Sequence, residues 1–271
     1  MNVIGEYLRA RRELVRPEDV GLRDNGHRRV PGLRRDELAM LAGISTEYYT
    51  RLEQGRDRRP SAQVLDAIAR ALGLDEAATA HLHALGSPAA SPVPKRKPEV
   101  VRPGVQLLLD AWQTTPAYVQ GPFQDVLAAN SLARALSPIF APGANILRCV
   151  LLDPAVQAFV PGWEERVDGL VAALRAMAGP GVGDPRLAEL VGELSAKSVL
   201  FRRLWSRHDA RPHPGGGMHH MRHPVVGELE LHYEKFAVSG ADGQLLVVYH
   251  ATPDSPSAEA LAKLDGAYAS R

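Results

Sequence analysis

Apolar positions recur with a helical period from the start of the chain. Ile4, Leu8 and Leu14–Val15 mark one short amphipathic helix, and a polar stretch punctuated by Gly and Pro follows over residues 16–32. Four further helices are predicted over Asp36–Ala42, Ser45–Gln54, Ser61–Leu72 and Asp75–Leu85. Ser45, Ser61 and Asp75 stand where a side-chain oxygen accepts an orphan helix N–H, while Gly43, Gly55 and Gly73 stand where helices stop. In the fourth helix Val64, Leu65, Ile68, Ala69 and Leu72 form the core stripe. Residues 1–86 therefore read as an all-α domain of five helices. The periodicity then lapses. GSPAASPVPKRKPEVVRPG has five prolines and the basic triplet Lys95-Arg96-Lys97, which predicts a semi-rigid linker over 87–104.

Residues 105–271 carry a mixed pattern. Helices are predicted over Val105–Trp112, Ser131–Leu136, Trp163–Met177, Asp184–Leu194 and Ser198–Arg207. The runs AYVQ and FQDVLAA bracket Gly121-Pro122 and predict a hairpin; two more strands are predicted over Val225–Tyr233 and Leu245–Ala251. Helices beside antiparallel strands indicate an α+β domain.

Asp36–Ala42, Gly43 and Ser45–Gln54 make a helix, a tight turn and a second helix. Leu38, Leu41, Ile44, Tyr49 and Leu52 fall where they lock the pair together, which leaves Thr46, Glu47, Thr50 and Arg51 facing outward. The start of such a second helix enters a DNA major groove. Arg51 suits a guanine edge, Thr46 a thymine methyl and Glu47 a cytosine amino group. Arg35, Ser45, Tyr48 and the Arg56, Arg58 and Arg59 cluster suit phosphates. The insertion over residues 16–33, which carries Arg28 and Arg29, has two open readings: a solvated loop, or an arm along the DNA backbone.

Charge agrees with a partner at the front of the chain. Residues 1–60 hold 13 arginines against 10 acids, whereas residues 101–271 hold 15 basic and 17 acidic groups. No run is long and apolar enough for a membrane span, and no secretory pattern opens the sequence, so a cytoplasmic protein is expected. Cys149 is the single cysteine and lies in the apolar run ILRCVLL, so an inert thiol is expected there. The signatures GxSxG, GxxxxGK[ST] and a strand-linked GxGxxG are absent, which argues against an enzyme. His208, His213, His219, His220, His223 and His232 cluster around RPHPGGGMHHMRHP, but their spacing matches no zinc signature. An exposed Gly- and Pro-rich loop is expected there, with no metal and no cofactor.

LRRDELAMLAGISTEYYTRLEQGRDRRPSAQVLDAIARALGL resembles the Xre/Cro-type helix-turn-helix. Over nearly the whole chain, PEDVGL, LDPAVQAFVPGWEE, LVGELSAKSVLFRRLW, HPVVGELELHYEKFAV and LVVYHATPDSPSAEAL are similar to the MmyB-like transcription regulators. That resemblance implies a multidomain chain, an all-α five-helix Xre/Cro-type domain followed by an α+β PAS-like ligand-binding domain. It also implies a double-stranded DNA operator as partner, and an apolar small molecule such as a fatty acid as ligand. A homodimer on a two-fold operator is expected. Tyr118, Phe123, Phe140, Trp163, Phe201, Trp205, Tyr233, Phe236 and Tyr249 are the candidate pocket aromatics. Arg148, Arg202, Arg203 and His232 are candidate partners for a carboxylate, with nothing to single one out. The alternative is a rear domain that serves only dimerisation or protein contact.

Overall fold

The computed structural model describes residues 3–22, 30–57, 60–86, 99–178, 184–212, 215–241 and 243–269. Arg28, Arg29, Arg58, Arg59, His213 and the basic triplet fall outside the described residues.

Five helices build the front of the molecule: α1 (Val3–Leu14), α2 (Arg35–Leu41), α3 (Thr46–Glu53), α4 (Ala62–Ala71) and α5 (Glu76–Gly86). The expected caps form. Ser45 Oγ accepts the Tyr48 N–H and Ser61 Oγ the Val64 N–H. The Asp75 carboxylate accepts the Ala78 N–H. Gly43 has φ +66 in the turn between α2 and α3, a conformation that side chains with a Cβ resist. Tyr7, Leu8, Leu38, Tyr49, Leu52, Ile68 and Leu82 are fully buried together beneath these helices. The insertion begins with a 3-10 turn over Pro17–Val20 and returns along the end of α1. There Leu33 donates its N–H to the Arg12 carbonyl. A Cβ on Gly32 would lie 2.4 Å from the Glu13 carbonyl oxygen, so glycine permits this close return.

The rear carries α6 (Pro103–Ala111), β1 (Ala117–Gln120), β2 (Val126–Ala129) and α7 (Ser131–Leu136). Then come α8 (Ile146–Leu152), α9 (Pro154–Phe159), α10 (Trp163–Ala178), α11 (Pro185–Lys197) and α12 (Val199–Ser206). β3 (Gly216–His223), β4 (Gly227–Ala237), β5 (Leu245–His250) and α13 (Pro256–Ala269) complete the chain. The five strands form one antiparallel sheet in the order β2-β1-β5-β4-β3. One sheet face, with Tyr118, Leu229, Leu231, Tyr233, Val247 and Tyr249, meets the helices in a large core. On the other face Ala117 and Val119 pack under Leu109 of α6. Asn130 pins the sheet edge: its Oδ1 accepts the Ala117 and Ala133 N–H groups, and its Nδ2 donates to the Trp112 and Thr115 carbonyls.

The multidomain, α-then-α+β expectation holds. One detail differs from the sequence reading. The His-rich segment is not an exposed loop: Gly216–His223 pairs with β4 over eight positions, which places Met221 opposite Leu229 and His219 opposite Leu231. The apolar runs around Cys149 and Val156, to which the sequence reading assigned no element, form α8 and α9.

Candidate nucleic-acid interface and ligand cavity

α3 presents the outward set as the turn dictates. Thr46 and Glu47 are exposed, and Tyr48, Thr50 and Arg51 half-exposed. Arg51 Nη1 lies 3.2 Å from Glu47 Oε1 one turn earlier, and its guanidinium lies 5.8 Å from the Tyr48 ring centre. Ser45 acts as helix cap, which leaves its Oγ engaged by the Tyr48 N–H at 3.1 Å. Arg56 is exposed at the far end of α3. Arg35 is not a free cation: its Nη2 lies 2.8 Å from Glu53 Oε1.

Glu53 closes α3 onto the rest of the domain. Its side chain is 2% exposed and is gripped by Arg12 of α1, itself 7% exposed, at 3.1 and 3.2 Å. Burial opposes the Glu53 charge, but the hydrogen bonds from Arg12 and Arg35 outweigh it and hold the carboxyl below its ordinary range. Burial and the Glu53 carboxylate push the neighbouring Tyr49 phenol well above its usual value.

The rear domain holds a cavity of about 200 Å³ between α10 and the sheet. Tyr118, Phe140, Tyr233 and Tyr249 are the expected aromatics that line it. Tyr118 and Phe140 stack at 4.7 Å, and Tyr249 donates or accepts at His219 Nδ1 over 2.9 Å. The other five candidates are placed elsewhere. Phe123 and Phe201 are core, and Trp163 is half-buried against it. Phe236 is exposed on β4. Trp205 lies under Arg175, with its ring centre 3.8 Å from the guanidinium carbon.

Two basic residues that the sequence reading missed line the cavity, Arg166 of α10 and Lys235 of β4. Burial lowers Arg166 and pushes Lys235 down to about 7. None of the carboxylate partners suggested by sequence lines it. Arg148 pairs with Glu193 at 2.7 Å, Arg202 donates to the Ser195 carbonyl, and His232 lies 3.3 Å from Thr252 Oγ1. Lys235 was legible in LELHYEKFA, because Leu229, Leu231, Tyr233 and Lys235 alternate onto the inner face of β4.

The two halves of the chain meet at α1. Arg11 pairs with Asp209, and the Tyr7 and His208 rings lie 6.3 Å apart. Arg175 near the C-terminal end of α10 donates to the Trp205 carbonyl at 2.7 Å and lies 3.2 Å from His208 Nδ1. Burial and the Arg175 charge push His81 and His208 down to about 4. A second cavity, of about 710 Å³, opens between Val3, Glu6, His81 and Leu85 on one side and α10, α11 and α12 on the other.

Among the described residues no group of three or more His, Cys, Asp or Glu is arranged to hold a metal ion. Buried His223 has a structural place: its Nε2 lies 3.2 Å from the Ala135 carbonyl while Nδ1 accepts the Val225 and Val226 N–H groups. No helix among the described residues is long and apolar enough to cross a membrane.

A helix-turn-helix domain joined to a cavity-bearing α+β domain defines a DNA-binding transcription regulator with a ligand-binding domain. Residues 3–82 match the helix-turn-helix domain model, and residues 101–264 match the MmyB-like transcription regulator ligand binding domain. The chain belongs to the MmyB-like transcription regulator family. No curated protein matches it.

Proposed function

We propose that the chain is a cytoplasmic, sequence-specific regulator of transcription whose DNA affinity responds to an apolar small acid, of which fatty acids are one class, held in the α10 cavity. It performs no catalysis in this reading. Bases are read by Thr46, Glu47, Thr50 and Arg51; Arg56 and Tyr48, with Arg58, Arg59, Arg28 and Arg29, contact phosphates. The observation that carries the proposal is the reach of α10. Its first half lines the cavity with Arg166, Gly169 and Leu170, and its second half brings Arg175 to the α1 junction. α1 in turn grips the recognition helix through Arg12 and Glu53. A ligand that favours one placement of α10 therefore biases the placement of α3.

Gly169 supplies the test. Gly169 lines the cavity at its exposed edge and nothing lies within 4 Å of the position a Cβ would take, so Gly169→Leu sets a bulky side chain at the cavity mouth without a clash at Cβ. Saturated fatty acids of graded length are expected to raise the melting temperature of the full chain and change its affinity for a selected duplex. Gly169→Leu is expected to abolish both effects. If no acid moves either readout, the sensing reading fails. The exposed Leu107 on α6 and Val100 just before it favour a second role for the same domain, a surface covered by another copy of the chain. Such a dimer would set two α3 helices about 34 Å apart, and sedimentation of Leu107→Glu against the wild type tests it.

A further inference from the structure

His208 sits at the junction of the two domains in an unusual backbone state. Its φ is +54, a left-handed conformation that is uncommon for a residue with a Cβ and concentrates at functional positions. It follows the end of α12, with its N–H on the Trp205 carbonyl at 3.3 Å, and the next residue, Asp209, pairs with Arg11 of α1. The turn thus sets a ring and a carboxylate against the helix-turn-helix domain.

The partners of the ring fix its protonation state. Arg175 Nη1 lies 3.2 Å from His208 Nδ1, and a guanidinium has donors but no acceptor. Nδ1 therefore accepts, and the His208 proton is on Nε2. A second proton, on Nδ1, would turn this hydrogen bond into two facing donors and set two cations side by side. From α1 the ring is faced by Arg11, already paired with Asp209, and by Tyr7, whose hydroxyl donates to the Ala78 carbonyl. From α5 comes His81, whose ring lies 5.3 Å from that of Tyr7. Glu6 lines the same interdomain cavity and, with Asp209, acts on Arg175. These two acids offset Arg11 and Arg175 one for one, so a proton on either histidine leaves surplus positive charge in the junction.

The arrangement crosses the domain boundary. Tyr7 and His81 belong to the front domain, and Arg175 and His208 to the rear. A proton on His81 would repel Arg175 across the interface. A proton on His208 would do so within the rear domain, where Tyr7 confines the ring, 6.3 Å away. Withdrawal of the front domain lets both rings turn to water.

We infer that Arg175, His81 and His208 form a proton-sensitive latch: with both rings neutral the helix-turn-helix domain is seated against α10 and α12, and proton uptake releases it. The latch needs no ligand in the α10 cavity, so its failure leaves the sensing reading standing.

The sign follows from the docked state. Burial, and then Arg175, hold His81 and His208 at about 4 there, against 6.5 for a free histidine, so the undocked chain binds protons first. Docking is at full strength above pH 6.5 and weakens as pH falls towards 4, by about tenfold per pH unit for each histidine that gains a proton.

Small-angle scattering and peptide-resolved hydrogen exchange on the ligand-free full chain, from about pH 7.5 to about 5, test it. The radius of gyration of the wild type is expected to rise as pH falls. Exchange, corrected for its intrinsic pH dependence, is expected to quicken in α1, α5 and residues 207–211 while the sheet stays protected. His208→Asn keeps an acceptor in place of Nδ1, tolerates φ +54 and takes up no proton. Arg175→Gln keeps a donor to Nδ1, can turn its amide to accept from a protonated ring, and removes the repelling charge. Each variant is expected to stay compact to a pH lower by about one unit or more. A wild type as compact in acid as at neutral pH overturns the inference. So does expansion of both variants at the wild-type pH. Exchange that quickens in the sheet together with α1 also overturns it, because the chain is then unfolding and not undocking.

Discussion

Glu53→Gln is the sharpest perturbation of the DNA-binding half, because it removes one charge and almost no volume. The Glu53 carboxylate is 2% exposed, and both its oxygens are used by Arg12, with Arg35 sharing Oε1. The substitution leaves the Arg12 guanidinium, 7% exposed, facing a neutral amide. Breaking one partner of a buried ion pair costs about 3–5 kcal/mol. The low end applies, since Gln still offers one acceptor and Arg12 keeps its 2.6 Å bond to the Leu33 carbonyl. Arg35 is 45% exposed, so its share is below about 1 kcal/mol. A loss of about 3 kcal/mol is therefore expected, concentrated where α1 and α3 meet. Hydrogen exchange resolved by peptide in the full chain reads it as faster exchange in both helices, with the sheet unaffected. The Arg12→Met, Glu53→Leu double variant removes both charges and is expected to recover most of the loss. Glu53 titrates below its ordinary value in the folded state, so its contribution is present above pH 4.5 and is lost as pH falls through that lower folded value. The gap between wild type and Glu53→Gln is thus expected to close in acid. A Glu53→Gln change below about 0.5 kcal/mol near neutral pH would refute the reasoning.

Arg51→Ala is expected to cost about 1–3 kcal/mol on a selected duplex and to relax preference at one base position, whereas Arg56→Ala weakens all duplexes alike; competition binding on a substituted duplex panel separates the two. Gly43→Ala meets no atom within 4 Å but must hold φ +66, so a loss of about 1–2 kcal/mol from backbone strain alone is expected in thermal unfolding. Arg175→Ala removes the stack on Trp205 and the bond to its carbonyl, and is expected to abolish the effect of a cavity ligand on DNA affinity while the ligand still binds. His81 and His208 fall from 6.5 to about 4 on burial, so the unfolded chain binds more protons between those values; stability is expected to fall as pH drops from about 6.5 towards 4, and less steeply in His208→Gln.

The front domain was legible because its determinants are local. Ser45 and Ser61 cap the helices they precede, and Gly43 takes the left-handed turn its position implies. The rear domain was legible only where alternation or amphipathicity was strong, as in the β1–β2 hairpin and α10. ILRCVLL is an apolar run whose length suits a buried strand or helix equally, and packing against α9 and α10 decides for helix. GGMHHMRH has no strong strand former, and it is a strand because β4 offers it a partner at every position. The Arg12–Glu53 pair and the cavity join residues 41 positions apart or more, a relation that periodicity does not carry. Tyr118, Phe140, Tyr233 and Tyr249 were found as aromatics, but nothing in the sequence separates them from Phe123 or Phe201, which face inward to core.

The most direct test begins with selection of duplexes from a random library by the full chain. Affinity for the enriched duplex is then measured with the cavity empty and with it saturated by octanoate. One enriched motif and an affinity change of about fivefold or more, lost in Gly169→Leu, are expected. An enriched duplex bound equally well with the cavity empty or filled would contradict it.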